Sequence, residues 1–254
     1  MQLCEKGADL AKACWILAIA VMLQGCGYYH YAGALRPQEA QSEAVSVADD
    51  GSVIYSRDRL EVRLKPMSDE ELNRQFPTYS QAGPNSTNPY TFGNTKFWGG
   101  EPQRPRFTVF RLNVKNYAFP KVKIDPARIV LESESKREYW SLGLQQLDTY
   151  YRAYAIGYRG NEYARYQERL DLLRRTLFKN EEIFSGQEVE GFVVFPVLHP
   201  DVGKLKVVIK DMVLRFDFRN EPVEAVDVEC RFNRDIGRIS RDGKVELAQA
   251  KGKS

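Results

Sequence analysis

Two histidines, four cysteines and a scatter of carboxylates are what this 254-residue chain offers for catalysis or metal binding. His30 lies near the N-terminus and His199 precedes Pro200 in a turn, and neither has a Cys, His or carboxylate at zinc-ligand spacing. A serine or cysteine nucleophile is therefore left without a histidine base. No phosphate-cradling glycine loop, Gly-x-Ser-x-Gly elbow or His-Glu-x-x-His pair occurs. Glycan hydrolysis needs two facing carboxylates, which a fold can assemble from distant positions. Here Glu188, Glu190, Asp227 and Glu229 alternate with apolar residues, the pattern of a solvated strand face. The expectation is a chain that is not an enzyme, with no catalytic residue, no metal and no cofactor. A carboxylate-dependent hydrolase is the least favoured alternative, and it demands a cleft with a raised pKa.

Defined chemistry is signalled at Cys26. Lys6 and Lys12 precede the apolar run Ala13 to Leu23, which is shorter than the roughly 20 residues of a spanning helix and suits a cleaved leader. The run ends in Leu23-Gln24-Gly25-Cys26, which resembles the lipobox of bacterial lipoproteins. The resemblance implies a signal peptide over 1–25, cleavage between Gly25 and Cys26, and lipidation of Cys26. Two or more acyl chains hold a protein stably where one is marginal. Gly27 stands where an aspartate is that family's inner-membrane retention signal, so the implied location is the cell envelope, at the outer membrane facing the periplasm if the cell is Gram-negative. Cys4 and Cys14 lie in the leader, so the mature chain has Cys26 and Cys230 and no intramolecular disulfide. Cys230 follows Val226 and Val228 and precedes Phe232 at period two, as a small buried hydrophobe would.

A third signal is aromatic. Tyr79, Tyr90, Phe92, Phe97 and Trp98 crowd a loop at 78–104 rich in Gly, Pro and Asn. Such rings can stack on sugars or anchor a protein partner; alternatively they pack the loop onto the domain.

The elements that must position these residues are mostly strands. Leu60 to Leu64 and Phe107 to Lys115 alternate apolar and polar residues, with Phe110, Leu112 and Val114 on one face of the second. Its other face is expected to meet water. Ser68 with Glu71 forms a capping box ahead of a short helix that stops before Pro77. Asp125-Pro126 leads into another strand, and further strands are expected at 189–195, 205–209, 213–218 and 223–232. Tyr163, Tyr166, Leu170, Leu173 and Leu177 recur at three and four, the spacing of an amphipathic helix covering a sandwich edge or face.

These expectations define an antiparallel immunoglobulin-like β-sandwich, mostly β, over 51–232, with the loop 78–104 and one amphipathic helical insert at about 143–180. A lipid-anchored flexible tether is expected at 26–50 and a basic disordered tail at 233–254. The layout around Asn116, Asp125-Pro126 and Ser185-Gly186-Gln187-Glu188 is similar to small immunoglobulin-like domains of secreted bacterial lipoproteins, which implies a binding or structural module. A formal charge of +3 on 254 residues is close to balanced. The expected partners are the membrane, through the lipid, and an envelope protein. A glycan on the 79–98 loop is the alternative, and no nucleic acid is expected.

Overall fold

The structure, a computed structural model, describes residues 29–81, 86–94, 105–157, 162–240 and 242–248. Gly25, Cys26, Phe97 and Trp98 lie outside the described residues. The chain divides into a large unit, Ala32–Ile236, and a small one contributed by the residues on either side of it.

In chain order the strands begin with β1 (Tyr29–Ala32), β2 (Arg36–Pro37), β3 (Val45–Val47), β4 (Val53–Arg57) and β5 (Leu60–Met67). Helices α1 (Asp69–Gln75) and α2 (Pro77–Ser80) follow. Then come β6 (Thr108–Asn116), β7 (Lys121–Lys123), β8 (Ile129–Ser133) and β9 (Glu138–Trp140), and helices α3 (Leu144–Gly157) and α4 (Glu162–Thr176). The order closes with β10 (Glu182–Phe184), β11 (Gln187–Phe195), β12 (Lys204–Phe216), β13 (Pro222–Asn233), β14 (Ile236–Ile239) and β15 (Val245–Leu247).

The large unit is a β-sandwich of two antiparallel sheets. One runs β11-β6-β5-β4-β3; the other runs β10-β7-β12-β13-β2, with β8 also paired to β12 and β9 to β8. The triplets β11-β6-β5 and β8-β12-β13 reproduce the E-B-A and C-F-G neighbours of an immunoglobulin-like sandwich. Between the sheets, the period-two residues form the main core: Leu60, Val62 and Leu64 from β5, Phe110, Leu112 and Val114 from β6, Val207 and Ile209 from β12, and Cys230 and Phe232 from β13. Phe110 meets Phe195 and Phe232 edge-on, at centroid distances of 5.8 and 5.2 Å.

At its start the second face of β6 is not solvated as its alternation predicts, whereas Arg111 and Lys115 further along are partly exposed as expected. Phe107 and Val109 join Phe192 and Val194 of β11 in a second core, closed by Leu147 and Tyr151 of α3 and Tyr166, Leu170 and Leu173 of α4. The run Gly191-Phe192-Val193-Val194-Phe195 is apolar on successive residues because helices cover one face and the opposite sheet covers the other. The helical insert occupies the connection between the C and E positions and contains two helices, where periodicity identified only α4. The apolar stripe of α3, Leu147-Tyr151-Ala155, has helical spacing but is diluted by Gln145, Gln146, Thr149 and exposed Tyr150.

The insert also seals the free edge of β11. Leu142 N–H donates to Val194 O at 2.7 Å, and Phe178 N–H donates to Phe192 O at 2.9 Å. Gly191 is required there, since a Cβ would lie 2.5 Å from the Phe178 backbone.

Two terminal segments differ from expectation. Within the proposed tether at 26–50, β2 adds to β13 and β3 adds to β4. The Gln38 backbone amide and the Gln41 side chain hydrogen-bond the Arg231 backbone and the Gln38 side chain donates to Phe232 O, so this segment satisfies a strand edge rather than solvating a linker. In the small unit the expected basic disordered tail contains an antiparallel hairpin, β14 with β15, in the sheet order β1-β14-β15. Its turn places Gly243 at φ +82°, a left-handed conformation that glycine adopts without strain.

Candidate functional site

Three connections and the end of β12 line a cleft of about 750 Å³ at one end of the sandwich. They include the B–C equivalent at 117–120 and the F–G equivalent at 217–221, the loops that converge at one end of immunoglobulin-like domains. Asp58 and Arg59 from the β4–β5 turn complete the rim.

Each loop is organised by a polar residue at its root. Asn116 is fully buried at the end of β6. Its Nδ2 donates to Phe119 O and Ile183 O, both at 2.9 Å, and its Oδ1 accepts from Phe119 N at 3.0 Å and Ala118 N at 3.3 Å. One amide thus shapes the B–C loop and ties it to β10. In the F–G loop, Asp217 Oδ1 accepts from Arg219 N and Glu221 N, both at 2.8 Å, while Asp217 N donates to Glu221 O at 2.9 Å. Asn220 takes φ +67°, which its short polar side chain tolerates.

Lys121 joins the loops. Its ammonium donates to Glu182 at 2.8 Å and to Asn220 Oδ1, and it sits 4.4 Å from the centroid of Phe216. Lys121, followed by Asn220, holds the Glu182 carboxyl below the usual carboxylate range. These contacts fix the rim by side chains of the chain itself.

Phe218 stands on this frame with 91% of its surface exposed. The pattern Leu214, Phe216, Phe218 would place all three side chains in the core. The strand, however, ends at Phe216, and Phe218 falls in the turn beyond the sheet. Tyr117, Phe184 and Val223 are also exposed around the same loops. Large apolar side chains held out from an ordered rim are what a docking surface presents. No family model, curated protein or solved structure matches the chain. The geometry therefore carries the functional argument.

The sequence-selected aromatic loop is placed differently. Tyr90 is fully buried, packed 4.9 Å from Phe192 and 5.9 Å from Phe76, with its hydroxyl paired to Thr176. It has no face left for a sugar. Phe92 lies under the Arg106 guanidinium at 4.2 Å, and the Tyr79 hydroxyl accepts from Arg175 at 3.1 Å. Tyr90 and Phe92 therefore attach the loop to the second core rather than form an open stacking surface.

Cys230 is fully buried, and burial pushes its thiol up to about 12, so a thiolate is disfavoured there. His199 Nδ1 lies 2.6 Å from Asp201 Oδ1, and Asp201 also takes Arg137 in a two-pronged pair at 2.8 and 2.9 Å. Among the described residues no group of three or more His, Cys, Asp or Glu side chains could hold a metal ion, and no helix is long and apolar enough to cross a membrane.

One carboxyl is perturbed in the way an acid catalyst would need. Burial pushes Asp69 up to about 6 against the pull of Arg106. Its cleft also contains Glu71, but the two are separated by two positions on the first turn of α1 and cannot face each other. Glu71 is committed elsewhere: burial raises it, yet the Ser68 amide at 3.0 Å and Lys65 at 3.1 Å outweigh that and keep it low. The capping box is the one expected from Ser68 and Glu71.

Asp69 has a testable stability signature. Because its folded pKa, about 6, lies above its ordinary 3.8, the folded state binds the extra proton between those values. The stability this gives is fully present below pH 3.8 and is lost as pH rises through 6. Asp69→Asn is expected to stabilise the fold by about 1–2 kcal/mol at pH 7 and to change little at pH 4. Urea midpoints at the two pH values check this, and equal effects at both would remove the buried-acid account.

Proposed function

We propose that this chain is a lipid-anchored, non-catalytic binding module of the bacterial cell envelope, docking a partner protein through the loop cluster around Phe218. The observation that carries the reading is the phenyl ring held 91% exposed on a turn fixed by Asp217, beside a cleft whose rim Lys121 locks together.

The anchor reading rests on the leader and on Leu23-Gln24-Gly25-Cys26. It also assigns the molecule a direction. Gly33 N–H donates to Asp235 O at 2.8 Å, just beyond Asn233, the end of β13. Phe218 precedes Pro222 at the other end of that strand, about 36 Å away at ordinary strand rise. Gly33 lies seven residues after Cys26, a reach of at most about 25 Å. The chain that leads back toward Cys26 therefore joins the sandwich at the end opposite to Phe218, so the loop cluster is not at the point of attachment.

The test combines fatty-acid labelling with photocrosslinking from the loop cluster. Wild type is expected to take the label and fractionate with membranes, and Cys26→Ser to lose both properties. Phe218→Asp is expected to keep the label and the unfolding midpoint within about 0.5 kcal/mol, since an exposed side chain contributes little to folding. It is also expected to weaken partner capture by about 2 kcal/mol or more, the scale of an aromatic anchor. Unlabelled wild type would end the lipid reading, and undiminished capture by Phe218→Asp would end the docking reading.

A further inference from the structure

β13 has two edges, and only one is paired along its length. Its inner edge follows β12 from Phe216 to Lys204. Its outer edge pairs with β2 only at Phe232 and Asn233, and the Gln38 and Gln41 contacts stop at Arg231. The backbone N–H and C=O of Arg231 both point to that outer edge, since they bond Gln41 and Gln38. In an antiparallel ladder this direction repeats at every second residue, so Ala225, Asp227 and Glu229 present their backbone groups the same way. Among the described residues no strand pairs with them there. At the far end, Arg57 bridges to Glu224 at 2.7 Å and bounds the open stretch.

We propose that the outer edge of β13 at Ala225–Glu229 accepts an extended peptide of a partner protein, with apolar and basic residues in alternation. The edge already takes a strand of this chain at its end, where β2 adds to it. A peptide continuing that pairing would hydrogen-bond Ala225, Asp227 and Glu229 through its main chain. Its inward side chains would meet Val226 and Val228 and the neighbouring Val45, all packed against the main core. Its outward side chains would stand beside Asp227 and Glu229. Within Ala225–Glu229 the outward side chains are two carboxylates: Asp227, which accepts from Asp211 N at 2.8 Å, and Glu229, which Lys206 bridges to Glu132, while the cation of the same face, Arg231, lies beyond the open stretch where Gln41 covers it. Directly opposite an incoming strand, these two carboxylates favour lysine or arginine. A second copy of this chain is a poorer occupant, because antiparallel pairing centred on Asp227 sets that carboxylate against its own counterpart. This edge is distinct from the loop cluster, and its occupancy does not require the Phe218 reading.

The experiment uses the full chain with a peptide of alternating lysine and valine as probe, followed by amide exchange and by titration. Binding with new protection at the Ala225, Asp227 and Glu229 amides is the expected result. Glu229→Pro removes one outward N–H at an edge position where proline is tolerated, and should weaken binding roughly tenfold. Exchanging lysine for glutamate in the probe should weaken it at least as much. Absence of binding, protection elsewhere, or equal binding of the acidic probe would overturn the proposal. Concentration-dependent protection of these amides without peptide would assign the edge to a second copy and overturn it also.

Discussion

Arg169→Ala is expected to lower the unfolding free energy by about 4 kcal/mol, the range found when one partner of a buried ion pair is removed. Arg169 is 1% exposed and lies on α4. It donates to Ser86 O at 2.8 Å and to Glu162 Oε2 at 3.4 Å, and its guanidinium is 5.4 Å from the rings of Tyr151 and Tyr154. Arg106, also buried, approaches the other side of this cluster and donates to the Tyr151 hydroxyl at 3.1 Å. Burial pushes Tyr151 up to about 12, so the hydroxyl stays neutral and can donate to Pro89 O.

The network binds the helical insert to the loop at 86–94. Alanine at 169 leaves Ser86 O without its donor, leaves Glu162 with Arg165 alone, and opens a cavity under Tyr151. Arg169→Met keeps volume and should lose about half as much. Adding Glu162→Gln to it should recover part of the remainder, since the two losses share one interaction. Denaturant unfolding measures all three, and a loss below about 1 kcal/mol for Arg169→Ala would refute the buried network.

Asn116→Ala is expected to cost about 3 kcal/mol and to loosen the loop cluster. The substitution removes one donor group and one acceptor that together satisfy Phe119 O, Ile183 O, Phe119 N and Ala118 N. Phe119 and Ile183 are buried, so water cannot replace the lost bonds without opening the site. Asn116→Asp isolates the donor role: it keeps the acceptor for Phe119 N but sets a carboxylate against two carbonyls, and should be at least as damaging at pH 7. Unfolding midpoints read the stability, and capture by the Phe218 surface reads the loop. Both should fall together, and a stable Asn116→Ala protein with an intact cleft would remove Asn116 from the role of organiser.

How much of this was legible varies with the range of the interaction. The Ser68–Glu71 capping box, the strand that follows Asp125-Pro126 and the buried Cys230 follow from neighbours a few residues away, and the structure contains each of them. Apolar patterning likewise identified β5, β6, β11, β13 and α4, and it gave as two strands, 205–209 and 213–218, what the structure joins in β12. It could not tell which face of β6 meets a second layer, because the residues covering Val109 come from helices at 144–176. Nor could it separate Phe216 from Phe218, which have the same spacing but lie on either side of a strand end.

The sequence by itself determined the main strands of both sheets, the apolar stripe of α4 and the alternation that makes a sandwich. These depend on local spacing and on the period of each element. Only the tertiary structure decided that Tyr90 is buried and Phe218 exposed, that Asn116 joins two loops, that Arg106 and Arg169 share one aromatic cluster, and that β13 keeps an open edge. Each of those depends on which distant segments pack together, and burial, hydrogen-bond satisfaction and strand pairing are properties of that packing.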